Sequence, residues 1–198
     1  MISRSTDQSG VVTSEQQLPR RSPAEGDPGA SEFDDLYKAQ FAYVWRTLRR
    51  LGVAPPDIED LVHDVFVVVH RRLDDYDRGR AVRPWLFGIA FRIASENRRR
   101  ARNRHEVPTS SVDVPAKAPT AEAMIESDER RQLVLSCLQA LSLDQRAVLI
   151  LVDIDGESPA DVAASLKIPV PTVYSRLRVA RSNFATTVRR ARLRQGDT

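Results

Sequence analysis

Residues 158–181 read SPADVAASLKIPVPTVYSRLRVAR. Ser158 stands at an N-cap, Pro159 at the first helical position and Asp161 at the third, a capping-box pattern. Val162, Ala163 and Leu166 then share one face of a short helix. Lys167, Ile168 and Pro169 form a turn, and Pro171 suits the first turn of a second helix. Val173, Leu177, Ala180 and Phe184 recur at helical spacing along it. Two short helices, a turn of three to four residues and a basic second helix make a helix-turn-helix pattern. The small side chain of Ala163 lets the two helices approach closely.

A 100° step per residue puts Pro171, Ser175, Arg178, Val179 and Ser182 opposite that apolar stripe. Thr172, Tyr174, Arg176 and Arg181 flank them. Arginines for guanine or phosphate, hydroxyls for either and a helix N-terminus near phosphate fit a DNA major groove. Arg178 lies nearest the outward direction and is expected to read a base. Arg176 and Arg181 are expected mainly to hold phosphates. A solvated basic face is the plain alternative. It accounts for the charge but not for cap, turn, small residue and stripe falling in one register.

Charge is distributed unevenly. From Val162 to Gly196 there are eight basic residues and no acidic one, whereas Asp57 to Asp77 holds seven acids against Arg71 and Arg72. The net charge of +3 conceals this. Such asymmetry suggests one surface for a polyanion and another for a basic partner.

Working back toward the N-terminus, Phe33, Leu36, Tyr37, Phe41, Val44, Trp45 and Leu48 mark an amphipathic helix, broken at Gly52 and Pro55–Pro56. Asp57 is expected to cap the next helix. Its apolar face is Ile58, Leu61, Val62, Val65, Phe66 and Val69. Its other face carries Glu59, Asp60, His63, Asp64 and His70, with Asp57, Asp60 and Asp64 the candidates for a protein interface. After a loop around Gly79, Pro84 is expected to start a third helix with Trp85, Leu86, Ile89, Ala90 and Ile93 buried. That helix ends in RRRARNR, residues 98–104. An arginine-rich helix behind aromatic residues suits single-stranded DNA, with Arg92, Arg99 and Arg102 the candidates.

The chain of 198 residues thus divides into a disordered tail (1–31), a helical block (32–105), a proline-containing flexible linker (106–120) and a second helical block (121–195). No strand alternation occurs, so the fold class is all-α: two small helical domains, the second with the helix-turn-helix. The single cysteine, Cys137, sits in an apolar run and reads as core in a reducing compartment. No apolar run approaches a membrane span and the N-terminus has no signal core, so a cytoplasmic protein is expected. Asp60, His63 and Asp64 offer too few convergent ligands for a metal. No nucleophile–base spacing or phosphate-cradling glycine loop occurs, so neither enzyme activity nor a cofactor is expected.

Three segments resemble the extracytoplasmic-function sigma factors of bacteria. IEDLVHDVFVVVHRRL (58–73) is similar to the family's polymerase-binding helix. RPWLFGIAFRIASENRRR (83–100) is similar to its promoter-melting segment. ALSLDQRAVLILVDIDGESPADVAASLKIPVPTVYSRLRVAR (140–181) is similar to its helix-turn-helix region. This sequence departs from the family pattern in having Arg92 for an asparagine, and Lys167 and Pro171 for glycines. The resemblance implies that the first block binds core RNA polymerase and opens the minus-ten element of promoter DNA. It implies that the linker threads toward the active-site cleft and the second block reads the minus-thirty-five element. It leaves room for an anti-sigma factor as a further partner. In the loop 75–82, polar residues would by position be candidates for capturing a flipped base. Two other classes fit parts of the pattern: a free-standing helix-turn-helix regulator, and a helical adaptor binding only protein. The adaptor leaves the basic stretch from Val162 unexplained.

Overall fold

The structure is a computed structural model that describes residues 28–103 and 121–196, with side-chain surroundings for 31–103 and 130–194. Most of the tail and all of the linker foreseen from composition lie outside these residues. The first block comprises α1 (Pro28–Leu51), a 3-10 turn (Pro55–Asp57), α2 (Ile58–Arg72) and α3 (Val82–Asn103). The second comprises α4 (Ala121–Gln139), α5 (Leu143–Leu149) running into a widened π turn (Ile150–Ile154), α6 (Pro159–Leu166) and α7 (Val170–Gly196). No strand occurs among the described residues.

Burial follows the predicted stripes. Val44 and Leu48 of α1, Val65 and Val69 of α2, and Leu86 and Ala90 of α3 are fully enclosed. In the second block Leu138, Val148, Leu151, Val162, Val173 and Ala180 are enclosed likewise. Cys137 is buried among them. One hydrophobic cluster runs through both blocks, because α3 packs on α6 and α1 on α4 and α5.

Several local expectations are corrected. α1 begins at Pro28, within the stretch assigned to the tail. Asp57 is the residue before α2 but makes no capping hydrogen bond, because it already has helical dihedrals from the 3-10 turn. α3 starts two residues before Pro84, which still falls among the first four positions, where a missing N–H costs nothing. Phe87 and Gly88 are buried as well as the predicted stripe, since a second helix covers that side of α3. Trp85 and Ile93 are only partly buried.

Glycine is required where α1 ends. Gly52 has φ +87°, and the Gly52 and Val53 N–H groups donate to the Arg49 and Leu48 carbonyls, a Schellman closure. The turn of the helix-turn-helix closes α6 in the same way, through the Lys167 and Ile168 N–H groups, but with Lys167 at φ 55°. A non-glycine residue in the left-handed region is disfavoured by contact between Cβ and carbonyl. Lys167→Gly is therefore expected to stabilise the fold by about 0.5–1 kcal/mol, the relief of strain being partly offset by glycine's backbone entropy. The unfolding midpoint in urea should rise. An unchanged or lowered midpoint would contradict this.

Candidate nucleic-acid interface

The helix-turn-helix is set by two caps and a stripe. Ser142 accepts from the Gln145 N–H at the start of α5, and Ser158 from the Asp161 N–H at the start of α6. Val173, Leu177 and Ala180 are buried and hold α7 against α5 and α6. The rotation of α7 is thereby fixed. Ser175 and Arg178 face solvent, and Tyr174 is 59% exposed. Thr172 is half-buried, and its carbonyl accepts from the Ser175 hydroxyl at 3.0 Å.

The flanking arginines have partners on other elements. Arg176 pairs with Asp144 at 2.9 Å. Arg181 donates from both Nε and a terminal nitrogen to Asp153, at 2.9 and 2.6 Å, and this hydrogen bonding raises its pKa. Acids absent from α7 itself are thus supplied by α5 and the π turn, and they brace the helix. Arg178 has no ion pair among the described residues. It is the strong donor on this face left without a carboxylate.

The first block has a second arginine set. Arg99 and Arg102 are exposed near the end of α3, and Arg92 is half-buried on the same helix. The loop before α3 is braced internally. Asp77 accepts from the Gly79 N–H at 2.9 Å, the Tyr76 hydroxyl donates to the Arg80 carbonyl, and the Tyr76 and Trp85 rings lie 4.7 Å apart. Arg78 forms a paired contact with Glu32 of α1, at 2.8 Å to each oxygen.

On α2, Asp60 and Asp64 are exposed, while the Asp57 carboxylate lies 3.5 Å from the Asn97 amide, a long contact. Beside them an apolar groove of about 310 Å³ is lined by Phe33, Tyr37, His63, Phe66 and His70. No His, Cys, Asp or Glu cluster suited to a metal occurs among the described residues, and none of their helices is long and apolar enough to cross a membrane.

Three contacts between the blocks were not legible in the sequence. The Tyr43 hydroxyl donates to Asp155 at 2.9 Å, and Arg50 donates to the other Asp155 oxygen at 3.1 Å. Burial, then the Asp155 charge, pushes the Tyr43 pKa up, so the hydroxyl keeps its proton. Arg146, 2% exposed, donates to the carbonyls of Leu51, Gln139 and Leu141. Burial, then the charge of Arg98, lowers its pKa to about 10, so it stays charged at neutral pH. Ser165 of α6 donates to the Pro84 carbonyl at the start of α3. The one local hint was Gly88, a glycine inside a helical pattern, which marks close packing.

Comparison with known proteins matches residues 31–104 to the family model for Sigma-70 region 2 and residues 131–184 to that for Sigma-70 region 4. The chain is 28% identical over 174 residues to the RNA polymerase sigma factor NccH of Alcaligenes xylosoxydans xylosoxydans, spanning 86% of this chain and 92% of that one. It is 32% identical over 136 residues to the ECF RNA polymerase sigma-E factor of Escherichia coli, spanning 63% and 70%. The fold is similar to that of the sigma factor RpoE of Bartonella quintana, solved with the anti-sigma factor NepR. The TM-score is 0.64, with 24% identity over 80% of this chain and 98% of that one.

Proposed function

The chain belongs to the extracytoplasmic-function sigma factors, a family of transcription initiation factors, and from that premise we propose a division of labour among its residues. Core RNA polymerase docks on α2 through Asp60 and Asp64, with Asp57 at the edge and the neighbouring aromatic groove taking apolar side chains. Promoter DNA near the melted minus-ten region lies along α3, held by Arg92, Arg99 and Arg102. α7 enters the major groove of the minus-thirty-five element. The polymerase performs the chemistry and this chain supplies the address, acting in the cytoplasm. An anti-sigma factor, the kind of partner seen with RpoE, is a further expected ligand.

The observation that carries this reading is the fixed rotation of α7. Its buried stripe and two ion pairs leave Tyr174, Ser175 and Arg178 as the outward group. Arg178, without a carboxylate partner, is free to fork onto a guanine edge. Arg176 and Arg181 reach phosphates by exchanging Asp144 and Asp153 for the DNA backbone, and Thr172 supports the helix N-terminus there.

The test is a binding series over all single-base variants of the minus-thirty-five element. Arg178→Ala should cost about 1–3 kcal/mol at the preferred sequence and flatten preference at one base pair. Arg176→Ala and Arg181→Ala should weaken all sequences alike and reduce the salt slope of binding. Equal weakening of every variant by Arg178→Ala would move it to the phosphate contacts.

A further inference from the structure

We propose that the start of α7 reads a thymine as well as a guanine. Tyr174 and Val170 form an apolar contact for the C5-methyl group of the base, one turn along the helix from Arg178. The inference rests on the sigma-factor reading of α7 and names the base that stands near its guanine.

Three of the seven large apolar side chains exposed among the described residues fall between Val170 and Val179. Tyr174 is the most exposed of the three. A single apolar residue on a surface needs no explanation, but three crowded into so short a stretch of helix point to a partner. Packing does not place them there. Val173, Leu177 and Ala180 already fill the seam with α5 and α6, and Val170 and Tyr174 stand in solvent beside it. The i, i+4 spacing puts Val170, Tyr174 and Arg178 on one ridge, with neighbouring Cβ atoms about 5–6 Å apart.

Base edges in the major groove offer donors, acceptors and one apolar group, the methyl of thymine. An arginine fork suits guanine, and a tyrosine ring beside a valine suits the methyl. The ring gives a flat apolar wall at low entropy cost, because it has only two side-chain torsions. A protein surface is the other kind of partner that covers apolar side chains. The arginines favour DNA. Arg176 and Arg181 flank the same stretch, and Arg178 ends the ridge, so the apolar group is bordered by cations suited to phosphate and base edges. One helical turn rises about 5.4 Å and one base step about 3.4 Å. The thymine therefore lies within two base pairs of the guanine that Arg178 takes.

Deoxyuridine scanning tests this, because uracil lacks only the methyl of thymine. Each thymine of the preferred minus-thirty-five element is replaced in turn, on either strand. Binding is measured for the full-length chain alone on duplex and for the chain assembled with core polymerase. One position within two base pairs of the Arg178 guanine should lose about fourfold in affinity, the worth of one buried methyl. Tyr174→Ala should bind thymine and uracil equally at that position. Tyr174→Phe keeps the ring and should keep the difference. A scan flat at every thymine would overturn the methyl contact, as would a preferred element with no thymine that close to the guanine. So would a methyl effect that persists in Tyr174→Ala. A flat scan with weakened core affinity in Tyr174→Ala would make the cluster a protein contact instead. Promoter-specific transcription with a flat scan would remove only the methyl contact. A methyl effect in the chain alone, with no core-dependent transcript, would remove only the sigma-factor role.

Discussion

Arg146→Ala is expected to destabilise the protein by about 3–5 kcal/mol, the largest effect of any single substitution considered. The guanidinium is buried and serves three carbonyl oxygens, those of Leu51, Gln139 and Leu141. Each buried acceptor left unpaired costs about 1–3 kcal/mol, and charge-assisted hydrogen bonds lie toward the upper end. Two effects offset part of that sum. Water entering the vacated space satisfies some of the carbonyls, and the mutant no longer has to bury a cation lacking a carboxylate partner. Arg146→Lys should recover only a fraction, because one ammonium cannot span acceptors arranged for a planar fork. Gly52 packs against the same group, a Cβ there falling 2.2 Å from an Arg146 terminal nitrogen, so Gly52→Ala should be damaging for the same reason and for its positive φ. Urea unfolding measures all three. A loss below about 1 kcal/mol for Arg146→Ala would mean that the carbonyls find other partners and that the arginine is replaceable.

Charge reversal at Asp60 and Asp64 should have the largest effect on function. Both carboxylates are exposed on α2 and support no other element, so Asp60→Lys with Asp64→Lys should leave thermal unfolding nearly unchanged. Affinity for core polymerase should fall by about tenfold to a hundredfold, since like charges facing a basic surface cost several kcal/mol across an interface. A fluorescence titration of labelled protein with core enzyme reads this directly. The α7 surface lies on another element, so binding of the variant to minus-thirty-five duplex should be preserved. Unchanged core affinity would remove α2 from the proposed interface.

What could be read from the sequence was local. Ser158, Pro159 and Asp161 announce the start of α6, and Val173, Leu177 and Ala180 announce which side of α7 is buried, because caps and 3.6-residue spacing act within one or two turns. The positive φ at Lys167 was legible only through the family resemblance, as a turn position that the family fills with glycine. What was hidden was non-local. Phe87 and Gly88 fall outside the stripe expected of α3 and are buried because α6, some 75 residues later, covers that side of the helix. Asp155 follows a π turn that no periodicity signals, and its meeting with Tyr43 and Arg50 depends on how two blocks dock. The ion pairs of Arg176 and Arg181 were hidden too. A stretch without acids suggested uncompensated charge, but Asp144 and Asp153 arrive from neighbouring elements. Asp57 looked like a cap because its residue type and position were right, yet the preceding 3-10 turn fixes its backbone differently.

On the proposed function this chain directs RNA polymerase to promoters and does not act as a free-standing DNA-binding regulator. In vitro transcription with purified core polymerase on a library of promoter fragments tests it most directly. Specific transcripts from a defined start point are expected only when chain and core are both present, lost in the Asp60→Lys, Asp64→Lys variant and shifted in promoter preference by Arg178→Ala. Tight, sequence-specific duplex binding by the chain alone, with no core-dependent transcript from any fragment, would contradict it.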